Sequence, residues 1–295
     1  MTEVVLPRRS ALTYLPAEVS LVIGLTALFV IATLTVVAPL VAPYDPNAQD
    51  IANARVPPIW HLLFYDDPAA TTQHLLGTDK LGRDFLTRLL YGGRVSLSVA
   101  LAVIAISGCI GITLGLVAGY FGGKIDAVVS FVVSVRLSLP AVLVMLIAAA
   151  LFGTSLANLI LVLSFLLWDR FCIVTRSLAK EQSSRGYIEA ARISGCSPVR
   201  LLFSEMLPNL LGPLTVVATV EAANAILLEA AMSFLGLGSQ PPTPSWGLML
   251  SEAKEDLFFN PWMITLPGVM IFILVLSFNL IGDGLRDSIA VEAKI

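Results

Sequence analysis

The sequence is poor in charged residues. Only 13% of its 295 residues are charged, whereas 57% are hydrophobic, and the mean hydropathy is +0.86. Because so few charges cannot cover a water-soluble globule of this size, the chain is predicted to be a polytopic membrane protein. The net charge of −3 also provides no basic face for nucleic acid.

The residues of several common chemistries are missing as well. The three cysteines are scattered, which argues against a disulfide framework. Neither histidine belongs to an H-E-x-x-H metal motif, and no G-x-S-x-G nucleophile elbow is present. The nearest approach to an ATP-binding P-loop, residues 122–125, lacks the hydroxyl residue and the upstream glycine. We predict a non-catalytic chain that binds no cofactor or metal and hydrolyses no ATP itself.

Long hydrophobic runs are abundant. A bilayer core needs about 20 mostly apolar residues in a helix, and six stretches qualify. They are residues 19–41, 95–120, 127–152, 156–174, 210–237 and 262–281. The first is too long for a signal-peptide core and is interpreted as a retained anchor. The predicted fold class is an all-α membrane protein with six transmembrane helices.

Lysine and arginine set the orientation of these spans, because cytoplasmic segments carry an excess of both. With the N-terminus inside, the inner segments hold eleven such residues and the outer segments six. Both termini are therefore predicted to be cytoplasmic. The predicted organisation is a cytoplasmic N-terminal segment 1–18, a first transmembrane helix 19–41, an external loop 42–94, a five-helix core 95–284 that includes a cytoplasmic loop 177–209, and a cytoplasmic tail 285–295.

The end of the external loop is predicted to form an amphipathic helix at the outer surface. Asp79 with Arg83, and Asp84 with Arg88, are i,i+4 pairs on its polar side. Its apolar residues at helical spacing are Leu81, Phe85, Leu89 and Leu90. Such a helix either caps the bundle or takes part in gating or in docking an external partner.

Small residues recur at four-residue intervals in the second span, at Ser107, Gly111, Gly115 and Gly119. They let another helix approach closely, and in lipid it is such packing that holds helices together. This face packs within one subunit or forms a seam between two subunits.

Three polar residues interrupt the fifth span, namely Glu221, Asn224 and Glu229. An acidic side chain in mid-membrane costs about 2.5 to 3.5 kcal/mol on insertion scales. At 100° per residue the three lie on one side of the helix, which is predicted to face protein or water. They either line a translocation path or form a hydrogen-bond network between helices, with Asn279 and Asp283 as candidate partners.

The cytoplasmic segment 186–209 is predicted to form two short helices joined by a turn. Gly195 suits the left-handed position that ends the first helix, and Ser197 caps the second, with Pro198 in its first turn. The second helix carries one apolar stripe, formed by Val199, Leu202, Phe203, Met206 and Leu207. A compact pair of this kind suits insertion into the cleft of a partner protein.

This segment resembles the cytoplasmic loop of the integral membrane subunits of binding-protein-dependent ABC importers. The family signature is matched at Glu189, Ala190, Ala191, Gly195, Leu207 and Pro208. Within the family, the chain is similar to the C-type permeases of the oligopeptide, dipeptide and nickel group. It departs from that group at Glu205, where an apolar residue or His is usual, and at Ile173, where Arg is usual.

Three further blocks carry the same resemblance and extend it over most of the chain. They are residues 76–94, 229–247 and 279–287. The candidate external residues for gating or docking fall in the first two blocks. They are Asp79, Arg83, Asp84, Arg88, Arg94 and Trp246.

The resemblance implies a division of labour among subunits. Such a subunit lies in the bacterial inner membrane, pairs with a second, homologous permease, and forms half of the pathway for peptides that an extracytoplasmic binding protein delivers. Two cytoplasmic ATPase subunits bind ATP and Mg²⁺, and each grips one Glu-Ala-Ala loop, which acts as a coupling helix. Nickel chelates and glutathione are the alternative cargoes.

A rival hypothesis from another class is an ion- or proton-coupled secondary transporter. Glu221 and Glu229 would then form the proton relay. That hypothesis leaves the capped cytoplasmic helix pair without a purpose.

Overall fold

The computed structural model describes residues 17–66 and 68–292, which are helical apart from connecting segments and one isolated bridge between Thr78 and Asp84. Residues 1–16, with two of the arginines that set the predicted orientation, and Lys294 lie outside the described residues. The α-helices of the described chain are α1 (Ala17–Val41), α2 (Trp60–Phe64), α3 (Phe85–Phe121), α4 (Gly123–Ser138), α5 (Ala141–Phe152), α6 (Leu156–Ser183), α7 (Gly186–Ile193), α8 (Pro198–Arg200), α9 (Leu207–Phe234), α10 (Trp246–Glu252) and α11 (Trp262–Glu292).

Five helical units of the described chain are long and apolar enough to cross a membrane: α1, α3, α6, the continuous unit Pro198–Phe234, and α11. They confirm five of the six predicted spans and the all-α fold. Several units run beyond the apolar stretches that identified them. The fourth span, for example, continues from its predicted end at Val174 to Ser183.

The third predicted span, residues 127–152, is not one straight helix. It consists of α4 and α5, whose axes are bent by 86° at the break between them. Pro140 lacks a backbone N–H and disfavours helical backbone at the residue before it. Leu139 is accordingly extended, with φ −92° and ψ 122°. A hydrophobic run cannot reveal such a break, but the proline within it can.

The packing of α3 against α6 shows that the bent pair still makes one crossing. Gly111 of α3 lies against Trp168 of α6, and Gly119 lies against Arg176, so the two helices run in the same direction. The end of α3 and the start of α6 therefore lie at opposite ends of this pair, and α4 with α5 carries the chain across. Residues 17–292 thus make six crossings, which agrees with termini on one side of the membrane.

The small residues of α3 allow this close parallel packing. A Cβ added at Gly111 would lie 2.3 Å from the carbonyl oxygen of Trp168, and one at Gly119 would lie 2.6 Å from that of Arg176. Neither position has room for a side chain. The four-residue face therefore packs within one subunit, as the first of its two interpretations predicted.

The predicted amphipathic helix at the outer surface is wrong. α3 begins at Phe85 and runs without a break into the membrane span, and Asp84 caps it by accepting a hydrogen bond from the Thr87 N–H at 2.8 Å. Residues 79–83 form a turn instead. Gly82 there adopts φ +73°, and an added Cβ would lie 1.7 Å from the Asp50 oxygen, so only glycine fits.

Candidate functional site

The cytoplasmic helix pair is closed by the caps that its sequence predicts. α7 ends in a Schellman motif, in which Gly195 adopts φ +80° and donates its N–H to the Arg192 carbonyl at 3.1 Å. The Cys196 N–H donates to the Ala191 carbonyl, also at 3.1 Å. The Ser197 side chain then caps the second helix. With both helix ends hydrogen-bonded, the turn between them is held in one conformation.

One buried side chain anchors this pair to the bundle, while most of the signature points outward. Ile188 of α7 is fully buried in a cluster that includes Leu116 of α3. The Arg192 guanidinium also lies over the Tyr120 ring, 5.1 Å from its centroid. Of the signature residues, Glu189, Ala190, Gly195 and Pro208 are exposed, and Ala191 and Leu207 are half-buried.

The predicted apolar stripe of the second helix is partly wrong. Leu201–Met206 form a π-helical turn, which holds more residues than an α-helical turn and rotates the faces beyond it. Leu202 and Met206 are buried, but Val199 is 67% exposed and Phe203 is 46% exposed, so the five residues do not share one buried face. The two exposed side chains add apolar surface to the outward face of the pair.

Glu205, where the chain departs from the group that it resembles, lies in this π-helical turn. Its carbonyl accepts a hydrogen bond from the Asn209 side-chain amide at 2.7 Å, and its side chain is half-buried. π-Helical turns are rare and frequently occur at functional sites. The unusual residue therefore coincides with irregular backbone where the helix pair joins α9.

Glu221 and Asn224 of α9 lie together, as predicted, and they meet a cation from α6. Arg170 Nε lies 3.2 Å from Glu221 Oε1, and Asn224 Nδ2 donates to the same oxygen at 3.4 Å. Arg170 was one of the eleven Lys and Arg residues counted as inner, and that assignment is wrong, because it is the fifteenth of the 28 residues of α6. Without it, ten inner cations still outnumber six outer ones, so the predicted orientation is unchanged.

Glu229 lies in a separate, closed environment two turns further along α9. It is fully buried and accepts hydrogen bonds from Ser96 of α3 at 3.2 Å and from Ser233 at 2.8 Å. This is the interhelical network that was one of its two interpretations. Asn279 and Asp283 are exposed, and among the described residues neither forms a hydrogen bond or ion pair with either glutamate, so the predicted partnership is wrong.

Several of the candidate external residues form a buried ion-pair cluster, for which α10 supplies the missing acid. Arg83 Nε lies 2.6 Å from Asp79 Oδ2, so this predicted pair forms, although in a turn. Arg83 and Arg88 both reach Glu252 Oε2, at 2.9 and 2.8 Å. Arg88 is 1% exposed. The cluster holds two cations and two anions, and it joins the external loop to α10.

The other external candidates lie around this cluster. Asp84 does not pair with Arg88. Its Oδ2 caps α3, and its Oδ1 lies 2.9 Å from His74 Nδ1. Trp246 is fully buried, and its Nε1–H donates to the Leu89 carbonyl at 2.8 Å. Arg94 is exposed and lies near the Tyr91 ring. Of these contacts, the bond from Trp246 holds the start of α3 against α10.

Sequence reasoning missed further ion pairs in and beside the apolar runs. Arg136 pairs with Asp169, and both lie inside predicted runs, where a charge in a hydrophobic stretch was the signal. Arg176 pairs with Asp126, and both lie just beyond the ends of such runs. In the external loop, a hydrogen bond to the Asp256 carboxylate raises the pKa of Arg55 above its ordinary value.

Two family models match the chain. Residues 111–291 match the binding-protein-dependent transport system inner membrane component, and residues 20–58 match the N-terminal transmembrane domain of oligopeptide transport permease C. The first match alone covers more than half of the chain.

Several curated proteins are similar along nearly their whole length. The dipeptide transport system permease protein DppC of Escherichia coli strain K12 is 40% identical over 273 residues, which are 92% of this chain and 89% of that protein. The protein of the same name from Haemophilus influenzae is 36% identical, with 92% and 90% covered. The di/tripeptide transport system permease protein DppC of Pseudomonas aeruginosa is 38% identical, with 92% and 88% covered.

A solved structure supports the fold. A chain of the MetNI methionine ABC transporter, in an inward-facing conformation, superimposes with a TM-score of 0.54. The match covers 69% of this chain and 95% of that one at 20% sequence identity. At this identity the likeness bears on the fold alone.

Proposed function

Because the chain belongs to the family of binding-protein-dependent transport system inner membrane components, we propose that it forms half of the translocation pathway of an ATP-driven importer of short peptides. It is a multi-pass protein of the bacterial inner membrane. The relatives compared above are permeases of dipeptide or di- and tripeptide transport systems by name. Their cargo supports short peptides as the cargo of this chain.

The observation that carries the proposal is the rigid helix pair on the cytoplasmic side. Its caps fix the turn, Ile188 anchors it, and Glu189 and Ala190 are presented outward. The second helix continues through the π-helical turn into α9 as one unit, Pro198–Phe234. A force applied to the exposed face by a closing ATPase would therefore tilt α9 and change which side of the membrane the pathway opens to.

The proposed partners are those that the resemblance to ABC importers implies. Two cytoplasmic ATPase subunits would bind ATP and Mg²⁺, each gripping one coupling helix pair, which is consistent with the absence of a P-loop from this chain. A homologous second permease completes the pathway, and an extracytoplasmic binding protein delivers the peptide. The chain itself catalyses no reaction in this scheme.

The test is reconstitution of the assembled complex. The chain is co-expressed with its second permease and two ATPases, purified, and placed in liposomes with the loaded binding protein outside and ATP inside. Uptake of a radiolabelled dipeptide is expected only when ATP, Mg²⁺ and the binding protein are all present. Competition with nickel chelates and with glutathione determines the cargo.

Two results would contradict the proposal. A chain that purifies without an ATPase and whose uptake collapses with the proton gradient would be a secondary transporter. A complex that hydrolyses ATP and imports a nickel chelate but no peptide would keep the mechanism and change the cargo.

A further inference from the structure

Two ion pairs lie side by side in the middle of the helix bundle. Arg136 of α4 lies 3.1 Å from Asp169 of α6, and the next residue, Arg170, lies 3.2 Å from Glu221 of α9. Arg170 and Glu221 are each the fifteenth residue of a 28-residue helix. Both residues also lie within apolar stretches predicted to cross the membrane, where a charge is costly and requires a function or a protein environment.

The two pairs differ in how their arginines are covered. Arg136 has a side chain that is 17% exposed, whereas that of Arg170 is 56% exposed. Glu221, by contrast, is 1% exposed, and its second oxygen, Oε2, is buried without a hydrogen-bond partner in the described chain. The closest contact of Glu221 with the Arg170 guanidinium is through Oε1, and no other described residue pairs with that guanidinium.

Arg170 opens onto a groove between α6 and α9. The groove has a volume of about 220 Å³. Arg170 and Glu221 are its only charged lining residues among those described, and the rest of its wall is formed by Ile173, Val174, Val216, Val217 and Val220. Lipid is an unfavourable cover for a half-exposed guanidinium at this depth. In the assembled importer this groove faces water, cargo or another subunit.

We propose that Arg170 is the point of the translocation pathway that takes the C-terminal carboxylate of the peptide, with Glu221 as the counter-ion that holds the guanidinium between cargoes. This inference rests on the proposed import of peptides. A guanidinium presents five N–H donors in a planar fork that matches a carboxylate, whereas Glu221 approaches it most closely at Nε and leaves Oε2 without a hydrogen bond.

Charge balance favours the same ligand. The Arg170 and Glu221 pair is neutral, and a peptide with free termini is a zwitterion that adds no net charge to the groove. The apolar walls accept side chains of any sequence, which a peptide pathway needs. Because the guanidinium is half-exposed, its ion pair with a carboxylate is weak enough to release the cargo.

The test compares a dipeptide with its C-terminal amide in the reconstituted complex. Binding protein is preloaded to equal occupancy with each peptide, and ATP-driven uptake is measured for the wild type and for Arg170→Gln. We expect the ratio of acid to amide uptake to fall about tenfold in Arg170→Gln, as for the loss of a hydrogen bond to a charged group. The ratio is compared because the change also leaves the buried Glu221 without its cation, which lowers the uptake of both peptides.

Two further variants sharpen the result. Arg170→Gln combined with Ile173→Arg moves the cation to a neighbouring wall position of the same groove and is expected to restore the preference for the acid. Arg176→Gln removes another arginine of α6, which pairs with Asp126 outside the groove, and is expected to leave the ratio of acid to amide uptake unchanged.

The outcomes separate this inference from the proposed function. If the wild type imports peptides and Arg170→Gln keeps the wild-type ratio of acid to amide, the carboxylate site is wrong while peptide import stands. If Arg170→Gln and Arg170→Lys both fail to co-purify with the second permease, Arg170 belongs to a subunit interface and the inference is wrong. A wild type without ATP-driven peptide uptake refutes the proposed function itself.

Discussion

This protein has two polar layers, one on the external side and one on the cytoplasmic side. Their charged residues are paired to very different extents. On the external side, Asp79, Arg83, Arg88 and Glu252 satisfy one another within the chain and are largely removed from water. On the cytoplasmic side, Glu189 is exposed on a rigid helix pair and has no ion-pair partner among the described residues. Both layers are rich in polar residues in the sequence, and only the structure separates them.

This difference indicates what each layer is for. A closed cluster of two cations and two anions holds the external loop, α3 and α10 together, and leaves no charge free for a partner. A capped helix pair with an unpaired acid and exposed apolar side chains is suited to binding a partner protein. The contrast predicts that external substitutions act on stability, whereas cytoplasmic substitutions act on coupling.

The largest expected effect is from Arg88→Ala in the external cluster. The change leaves Glu252 and Asp79 with one cation between them in a buried site, which costs about 3 to 5 kcal/mol. We expect a large drop in the midpoint of thermal unfolding in detergent and less protein in the membrane. Arg94→Ala removes an exposed arginine of the same helix and is expected to change stability by less than about 0.5 kcal/mol. Equal stability of both variants would show that the buried cluster is not structural.

The next effect is on transport and comes from Glu189→Arg. Charge reversal on the exposed face of α7 is expected to lower ATP-driven uptake at least about tenfold, the scale of a lost charge-assisted contact, while the thermal midpoint stays that of the wild type. Uptake and ATP hydrolysis are measured on the same liposomes, since uncoupling predicts hydrolysis without uptake.

The control for this substitution is Glu181→Arg. Glu181 is also cytoplasmic and exposed, but it lies outside the signature and pairs locally with Arg185 at 2.8 Å. It is expected to keep the parental uptake rate. Parental uptake in Glu189→Arg at normal protein levels would remove the coupling role from the helix pair.

Local chemistry made the cytoplasmic half of this comparison predictable. The caps at Gly195 and Ser197 follow from backbone conformation and side-chain hydrogen bonds within a few residues, and both are found in the structure. Five of the six predicted spans are found as single helical units for the same reason, because hydrophobic length is a local property.

The remaining features depend on contacts between distant segments. Arg88 was assigned to Asp84, four residues away, but it pairs with Glu252, which is 164 residues away. The π-helical turn and its shifted apolar face likewise arise where the helix pair packs against the bundle. Arg170 was counted as cytoplasmic although it lies within the predicted span 156–174, and only its contact with Glu221 of α9 shows where it belongs. No spacing rule gives these pairings, since each is chosen by the packing of whole helices.

A smaller effect is expected at Gly195, where the conformation of the turn is tested directly. Its φ of +80° is strained for a side chain with a Cβ, by roughly 1 to 2 kcal/mol, although Asn tolerates it better than other residues. Gly195→Leu should therefore weaken binding of the ATPase to the reconstituted permease about tenfold, and Gly195→Asn much less. Equally weakened binding in both variants would mean that the bulk of the side chain, rather than backbone strain, governs this position.

The smallest predicted effect concerns the cap of the second helix. Ser197→Ala removes the hydrogen-bond acceptor and costs about 1 kcal/mol of local helix stability, whereas Ser197→Gly costs only a few tenths. Because the helix pair is rigid only while its caps hold, uptake should fall a few-fold in Ser197→Ala and remain near parental in Ser197→Gly. Hydrogen exchange of the 198–206 amides measures the helix itself. Faster exchange without any loss of uptake would show that coupling does not need a rigid second helix. The exposed face of the pair alone would then account for the difference between the two polar layers.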